Sequence, residues 1–138
     1  MGKRLSEDTL ATFHDSLDRV LGCKDLFDVF YERLMSRSPS IASRFHGFDV
    51  ARIKRMLRDA FYLEMMASDG NLRAATRLQD LAARHADLGI TRAMHDTWLE
   101  TLLSVVAERD PRYDEAVEQS WRDVMRLGMD FMKTGAPV

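Results

Sequence analysis

Cysteine, proline and glycine are scarce in this sequence, with one, three and seven residues among 138. The single cysteine, Cys23, cannot form an internal disulfide, which favours a reducing compartment and predicts a cytoplasmic protein. No apolar run approaches the roughly 20 residues that a membrane-spanning helix needs. The charges near the amino terminus, at Lys3, Arg4, Glu7 and Asp8, are not followed by the apolar stretch of a signal peptide. We therefore expect neither secretion nor a membrane partner.

An excess of charge of one sign is also absent, since 20 lysines and arginines face 22 aspartates and glutamates. The basic runs, at residues 2–4 and 52–55, are short and typical of solvated helix faces, so we expect no nucleic-acid partner. Hydrophobic residues make up 46% of the chain and charged residues 30%, which indicates a folded globular protein rather than a disordered one. This length, without an internal repeat or a linker, predicts one domain over residues 1–138.

Apolar residues recur at helical spacing along nearly the whole chain, and no segment alternates as a half-buried strand does. Capping residues and helix breakers divide this pattern into helical segments of unequal length. Such unequal helices do not suit an up-and-down bundle and favour steep packing around a pocket. Gly128 falls inside the last segment and argues against a regular helix there. The sequence predicts an all-α fold, with helices beginning at Ser6, Asp25, Ser38, Asp49, Thr91 and Asp114, a further helix that carries His85, and breaks at Gly22, Gly47, Gly70, Gly89 and Pro111.

One histidine, His85, closes an apolar stripe on the fifth predicted helix. Residues three, four and seven positions apart share a helix face, which places Leu78, Leu81, Ala82 and His85 together. Gly89 can adopt the left-handed conformation common just after helix ends, so the helix should stop there. Two interpretations of His85 stay open on this pattern alone. One makes it a core or boundary histidine with a satisfied hydrogen bond, and the other makes it the protein ligand of a flat apolar cofactor such as haem.

Several short motifs occur in a fixed order along the chain. Together they resemble the bacterial single-domain globins and the globin domain of flavohaemoglobins. The resemblance covers about residues 5–133 and implies the globin fold, with six to eight helices packed around a haem pocket. Its most specific parts are the spacing of Tyr31, Pro39 and Phe45 and the segment from His85 to Gly89. The motifs are Phe30-Tyr31-Glu32-Arg33-Leu34, then Ser38-Pro39, then Phe45, then a helix through Ile53 and Leu57, then Arg84-His85-Ala86-Asp87-Leu88-Gly89-Ile90.

Carried over position by position, the resemblance implies a single globin domain that holds haem b. His85 matches the proximal histidine that ligates the iron, and Phe45 matches the phenylalanine that packs on the haem face. Tyr31 matches a distal tyrosine that hydrogen-bonds iron-bound dioxygen. Ile53 stands where many relatives have a distal histidine or glutamine, and it cannot donate a hydrogen bond, so Tyr31 is the expected polar group over the iron. The remaining predicted cofactor-binding residues are Leu57, Leu81, Ile90 and Trp98, although a tryptophan is more often core filling.

The other histidines and the arginines are weaker indicators. His46, beside Phe45, is expected to be exposed, with a sixth iron ligand as its alternative role. His14 and His95 are expected at the surface or its boundary. Haem propionates need cations near the pocket rim. The candidates for that role, which the sequence does not rank, are Arg44, Arg55, Arg84 and Arg92.

The resemblance implies a globin whose His85-bound haem iron reversibly binds dioxygen, nitric oxide or carbon monoxide. Two alternatives stay open, a nitric oxide dioxygenase and a haem-based gas or redox sensor. Because no Gly-rich dinucleotide fingerprint occurs in the chain, a dioxygenase would need a separate reductase as its partner. An all-α domain with an empty or differently filled pocket is a further alternative, and a homodimer is compatible with the sequence.

Overall fold

The computed structural model describes residues 5–87 and 89–135, with residues 85–87 and 131–135 described for their backbone alone. Within these ranges the secondary structure consists of seven α-helices and no strand, which confirms the predicted all-α fold. None of the described helices is both long enough and apolar enough to cross a membrane. The helices are α1 (Glu7–Leu21), α2 (Leu26–Arg37), α3 (Pro39–Arg44), α4 (Val50–Ser68), α5 (Leu72–Asp87), α6 (Arg92–Arg109) and α7 (Glu115–Gly135).

Local hydrogen bonds explain where several of these helices begin. The Ser38 hydroxyl accepts a hydrogen bond from the backbone amide three residues on, and Pro39 takes the first helical position, where its missing N–H has no partner to lose. Asn71 caps α5 in the same way with its side-chain oxygen, a cap that sequence reasoning missed. The expectation that Asp25 caps α2 is wrong in detail. Asp25 stands at the N-cap position without a capping hydrogen bond, and its carboxylate accepts one from Arg109 Nη2 at 3.0 Å instead.

The sequence predicted that Gly89 ends one helix and that Gly128 disturbs another, and the structure agrees with the first prediction but not with the second. Gly89 follows α5 with a φ of 73°, the left-handed conformation that the sequence predicted. Gly128 was expected to disturb the last helix, but α7 runs through it without a break. The reason for a glycine there is the neighbouring helix, since a Cβ at position 128 would lie 2.5 Å from the Cβ of Glu64 on α4. Gly128 therefore permits a close crossing of α4 and α7.

Aromatic side chains form much of the contact between helices. Trp121 on α7 is fully buried, with Phe13 of α1 edge-on at 4.8 Å and Phe61 of α4 stacked at 5.9 Å between ring centroids. Phe30 of α2 packs edge-on against Trp98 of α6 at 5.7 Å. Burial of such large apolar rings is the main favourable contribution to folding. These ring contacts join α7 to α1 and α4, and α2 to α6.

A buried carboxylate, Asp110, joins α1 to the turn between α6 and α7. Its oxygens accept hydrogen bonds from Ser16 Oγ at 2.6 Å and from Arg19 Nε at 2.6 Å. Trp121 Nε1 in turn donates to Ser16 Oγ at 2.9 Å. Burial alone would raise the pKa of Asp110, but the hydrogen bonds from Arg19, Ser16 and the Arg112 backbone outweigh it and hold that pKa at about 2. Asp110 is therefore an ionised and well-satisfied buried group.

Candidate functional site

A cavity lies between α4 and α6, where α2, α3 and α5 also contribute to its walls. The space inside it that a water-sized sphere can enter is about 90 Å³. This volume is below the roughly 300–1,000 Å³ typical of pockets for small molecules and cofactors, so a cofactor would have to move the lining side chains apart to enter. Ten of its twelve lining residues are apolar. The lining consists of Leu34, Ile41, Phe45, Met56, Leu57, Ala60, Glu64, Leu81, Ile90, Met94, His95 and Trp98.

Five of the eight residues predicted to bind a cofactor line this cavity: Phe45, Leu57, Leu81, Ile90 and Trp98. They come from five different places in the fold, namely the end of α3, α4, α5, the segment before α6, and α6 itself. Residues this far apart in sequence meet only because the helices cross around the same space. The structure thus brings most of the predicted set to one apolar surface.

Ile53 and Tyr31 lie in the same region but outside the lining. Ile53 precedes Leu57 by one helical turn on α4 and is 3% exposed within the main core. Tyr31 is half-buried, and the Nζ atom of Lys54 lies 5.5 Å from the centroid of its ring. The assignment of Tyr31 as a hydrogen-bond donor to an iron-bound gas stays a prediction.

His85 belongs to the last turn of α5, and its side chain lies outside the described residues. Position 85 follows Leu81 by one helical turn and precedes Ile90 by five residues, and both of those residues line the cavity. Position 85 of the backbone therefore lies on the part of α5 that borders the cavity. Its assignment as an iron ligand stays a prediction.

Glu64 is a polar lining residue that sequence reasoning missed. It is 2% exposed, and its Oε2 atom is the one fully buried side-chain oxygen or nitrogen without a hydrogen-bond partner in the described part of the chain. Burial raises the pKa of this carboxyl well above its usual value. The sequence did contain a signal, because Glu64 continues the apolar stripe of Ile53, Leu57 and Phe61 at helical spacing.

The second polar lining residue is His95, in the first turns of α6. Sequence reasoning expected it at the surface or its boundary, and the structure shows a half-buried residue whose side chain lines the cavity. His46 is exposed at the corner after α3, as predicted.

The four candidate rim arginines occupy different surfaces. The guanidinium of Arg44 lies against Gly89, where an added Cβ would be 3.4 Å from Arg44 Nη2. It therefore extends from the end of α3 to the segment beside Ile90, which borders the cavity. Arg84 lines a separate groove between α4 and α5, Arg92 lines one beside α7, and Arg55 is exposed on α4. Among these arginines, Arg44 is the one that bridges two segments bordering the cavity.

Comparison with known proteins gives one informative finding. No family model and no curated protein matches the chain. Among solved structures, the chain is similar to a Pseudomonas aeruginosa protein whose crystal structure is described as structurally highly homologous to a human hemoglobin. The two are 30% identical over 94% of this chain and 99% of that one, with a TM-score of 0.82. Since both the sequence and the fold agree over nearly the full length, this chain belongs to the globin family.

Proposed function

We propose that this globin holds haem b in the cavity between α4 and α6 and reversibly binds dioxygen or another diatomic gas at the haem iron. The observation that carries the proposal is the cavity itself, because five of the residues predicted to bind a cofactor meet on its apolar wall, and four of them, Phe45, Leu57, Leu81 and Ile90, match globin positions. A porphyrin is a large flat apolar ring, and apolar side chains from several helices are the surface that suits it.

Individual side chains around the cavity also suit haem. His85 would supply the axial imidazole, and Phe45, which is half-buried beside Phe48 at 5.9 Å, would pack on the ring. Arg44 lies at the rim, where its guanidinium would pair with a propionate carboxylate. When bound, haem supplies an iron atom that takes up a gas. The protein's own contribution is to exclude water, since an apolar lining limits the access that leads to oxidation of the iron.

Absorption spectroscopy of the purified protein tests this proposal. We expect a Soret band in the ferric and ferrous forms, and a shift of that band when carbon monoxide is added to the ferrous form. His85→Ala should abolish tight haem binding and lower the melting temperature of the haem-treated protein, because a cofactor that binds only the folded state stabilises it.

A matched control is His46→Ala, which removes an exposed histidine from the same molecule. The spectra of this variant should match those of the wild-type protein. A wild-type protein that takes up no haem would contradict the proposed function. A His85→Ala variant that forms a normal ferrous carbonyl complex without added imidazole would contradict the role of His85 alone.

A further inference from the structure

Glu64 lies where α4 both borders the cavity and crosses α7. On one side its own backbone is pressed against Gly128, so closely that a Cβ on Gly128 would lie 2.7 Å from the Cα of Glu64. Ser68, one turn later, donates a hydrogen bond to the Val124 carbonyl at 2.6 Å and holds the two helices together. Glu64 is therefore fixed at the backbone, and its side chain forms part of the cavity wall.

The Oε2 atom of this carboxyl has no hydrogen-bond partner among the residues that the structure describes. Buried polar atoms in native proteins are nearly always hydrogen-bonded, and an exception calls for an explanation such as a bound ligand. Oε2 of Glu64 is that exception among the described residues, and an apolar side chain would fill the same position on α4 without this unfavourable burial. Glu64 lines the cavity, so a molecule in the cavity could supply a partner for this oxygen.

We propose that Glu64, as the carboxylic acid, donates a hydrogen bond to the molecule that occupies the cavity. The occupant is then a mostly apolar ring system that presents one hydrogen-bond-accepting atom to the α4 wall near Glu64. The acid form is the donor, and deep burial without a cationic partner favours that form. The proposal rests on the proposed function, with haem as the apolar ring.

Two sources could supply the accepting atom. It belongs either to a gas molecule on the iron or to a substituent at the edge of the porphyrin. Glu64 is the donor in both cases, but the hydrogen bond forms at a different stage of ligand binding. A gas forms it only when the gas is bound, whereas a ring substituent forms it as soon as haem enters.

Infrared difference spectroscopy separates these sources, with the carbonyl stretch of the protonated Glu64 carboxyl as the signal. We expect a carboxylic-acid band in the wild-type protein that is absent in Glu64→Gln and retained in the control Glu108→Gln. Glu108 suits as a control because it is paired with Arg33 at 2.8 Å and has a lowered pKa, so it gives no acid band. A shift of the Glu64 band on haem loading without gas supports the ring substituent. A shift only on photolysis of bound carbon monoxide supports the gas.

Substitutions then test the effect on binding. Glu64→Leu, which cannot donate, should speed dissociation of the identified partner by up to about tenfold, the value of one ordinary hydrogen bond. Glu64→Gln keeps an N–H donor and should retain much of the wild-type rate. An acid band that shifts under neither condition, or equal dissociation rates in all three proteins, would overturn the proposal. These results differ from a failure of the proposed function, in which the purified protein takes up no haem at all and both proposals are overturned.

Discussion

Replacement of Gly128 by alanine tests the close crossing of α4 and α7 that supports one wall of the cavity. Helix propensity alone predicts that this change stabilises the protein by about 1 kcal/mol, because glycine is the poorer residue inside a helix. The structure predicts the opposite sign. An added Cβ would lie 2.5 Å, 2.7 Å and 2.8 Å from the Cβ, Cα and carbonyl oxygen of Glu64.

The expected loss of stability depends on how firmly the Cβ, Cα and carbonyl oxygen of Glu64 are held in place. All belong to the backbone of α4 or are fixed directly to it, so no side-chain rotation relieves the contact and the helices must separate. Overpacking of this kind costs typically about 1–3 kcal/mol. After subtraction of the helix-propensity gain, we expect Gly128→Ala to lower the free energy of unfolding by up to about 2 kcal/mol. For a protein of this size that is a drop in melting temperature of up to roughly 7 °C.

Thermal and urea unfolding of the haem-free protein measure this effect. Gly22→Ala is the matched control, because Gly22 has an ordinary helical φ of −65° and an added Cβ would lie at an acceptable 3.4 Å from the Arg19 carbonyl. That variant should be unchanged or more stable by about 0.4–1 kcal/mol, since alanine reduces the entropy of the unfolded chain. If Gly128→Ala were as stable as Gly22→Ala, the close approach of α4 and α7 would be refuted.

Two further predictions concern a buried charge and the proposed gas site. The pKa of Asp110 is lowered from 3.8 to about 2, so its ionised form contributes stability above about pH 4 that is lost as the pH falls toward 2. This difference corresponds to about 2 kcal/mol, and unfolding of Asp110→Asn measured across that range should show a weaker pH dependence than the wild-type protein. Tyr31→Phe should speed dioxygen dissociation from the haem-loaded protein by about one to two orders of magnitude, the value of one hydrogen bond to a partly charged acceptor. Carbon monoxide dissociation should change much less, and equal changes for both gases in flash photolysis would show that Tyr31 does not donate to the bound ligand.

The positions of the helices follow from the sequence alone. Ser38-Pro39 and Thr91 mark helix starts through local hydrogen bonds, and Gly89 marks a helix end through its left-handed conformation. These signals involve residues a few positions apart, so they act before any tertiary contact forms. Helical spacing likewise identified Leu57 and Leu81 as inward-facing, and the motif order identified the fold.

Other features of the site depend on which helix lies opposite. Sequence reasoning expected Gly128 to weaken α7, whereas the structure shows an unbroken helix with Glu64 pressed against that glycine. Sequence reasoning did not select Glu64 as a site residue, because a glutamate on an amphipathic helix is usually exposed to solvent. It could not choose among the rim arginines, since the placement of Arg44 beside Gly89 depends on how two distant corners meet.

The sequence by itself thus determined the helices, their ends and the apolar faces that they turn inward. Local propensity and periodicity report which face of a helix avoids water, but they contain no information on the neighbour that covers it. Only the tertiary structure decided that α4 and α7 cross closely enough to require Gly128, and that Glu64 is buried beside the cavity rather than exposed to solvent. Both outcomes depend on the separation and crossing of helices far apart in sequence, which the packing of many side chains sets together.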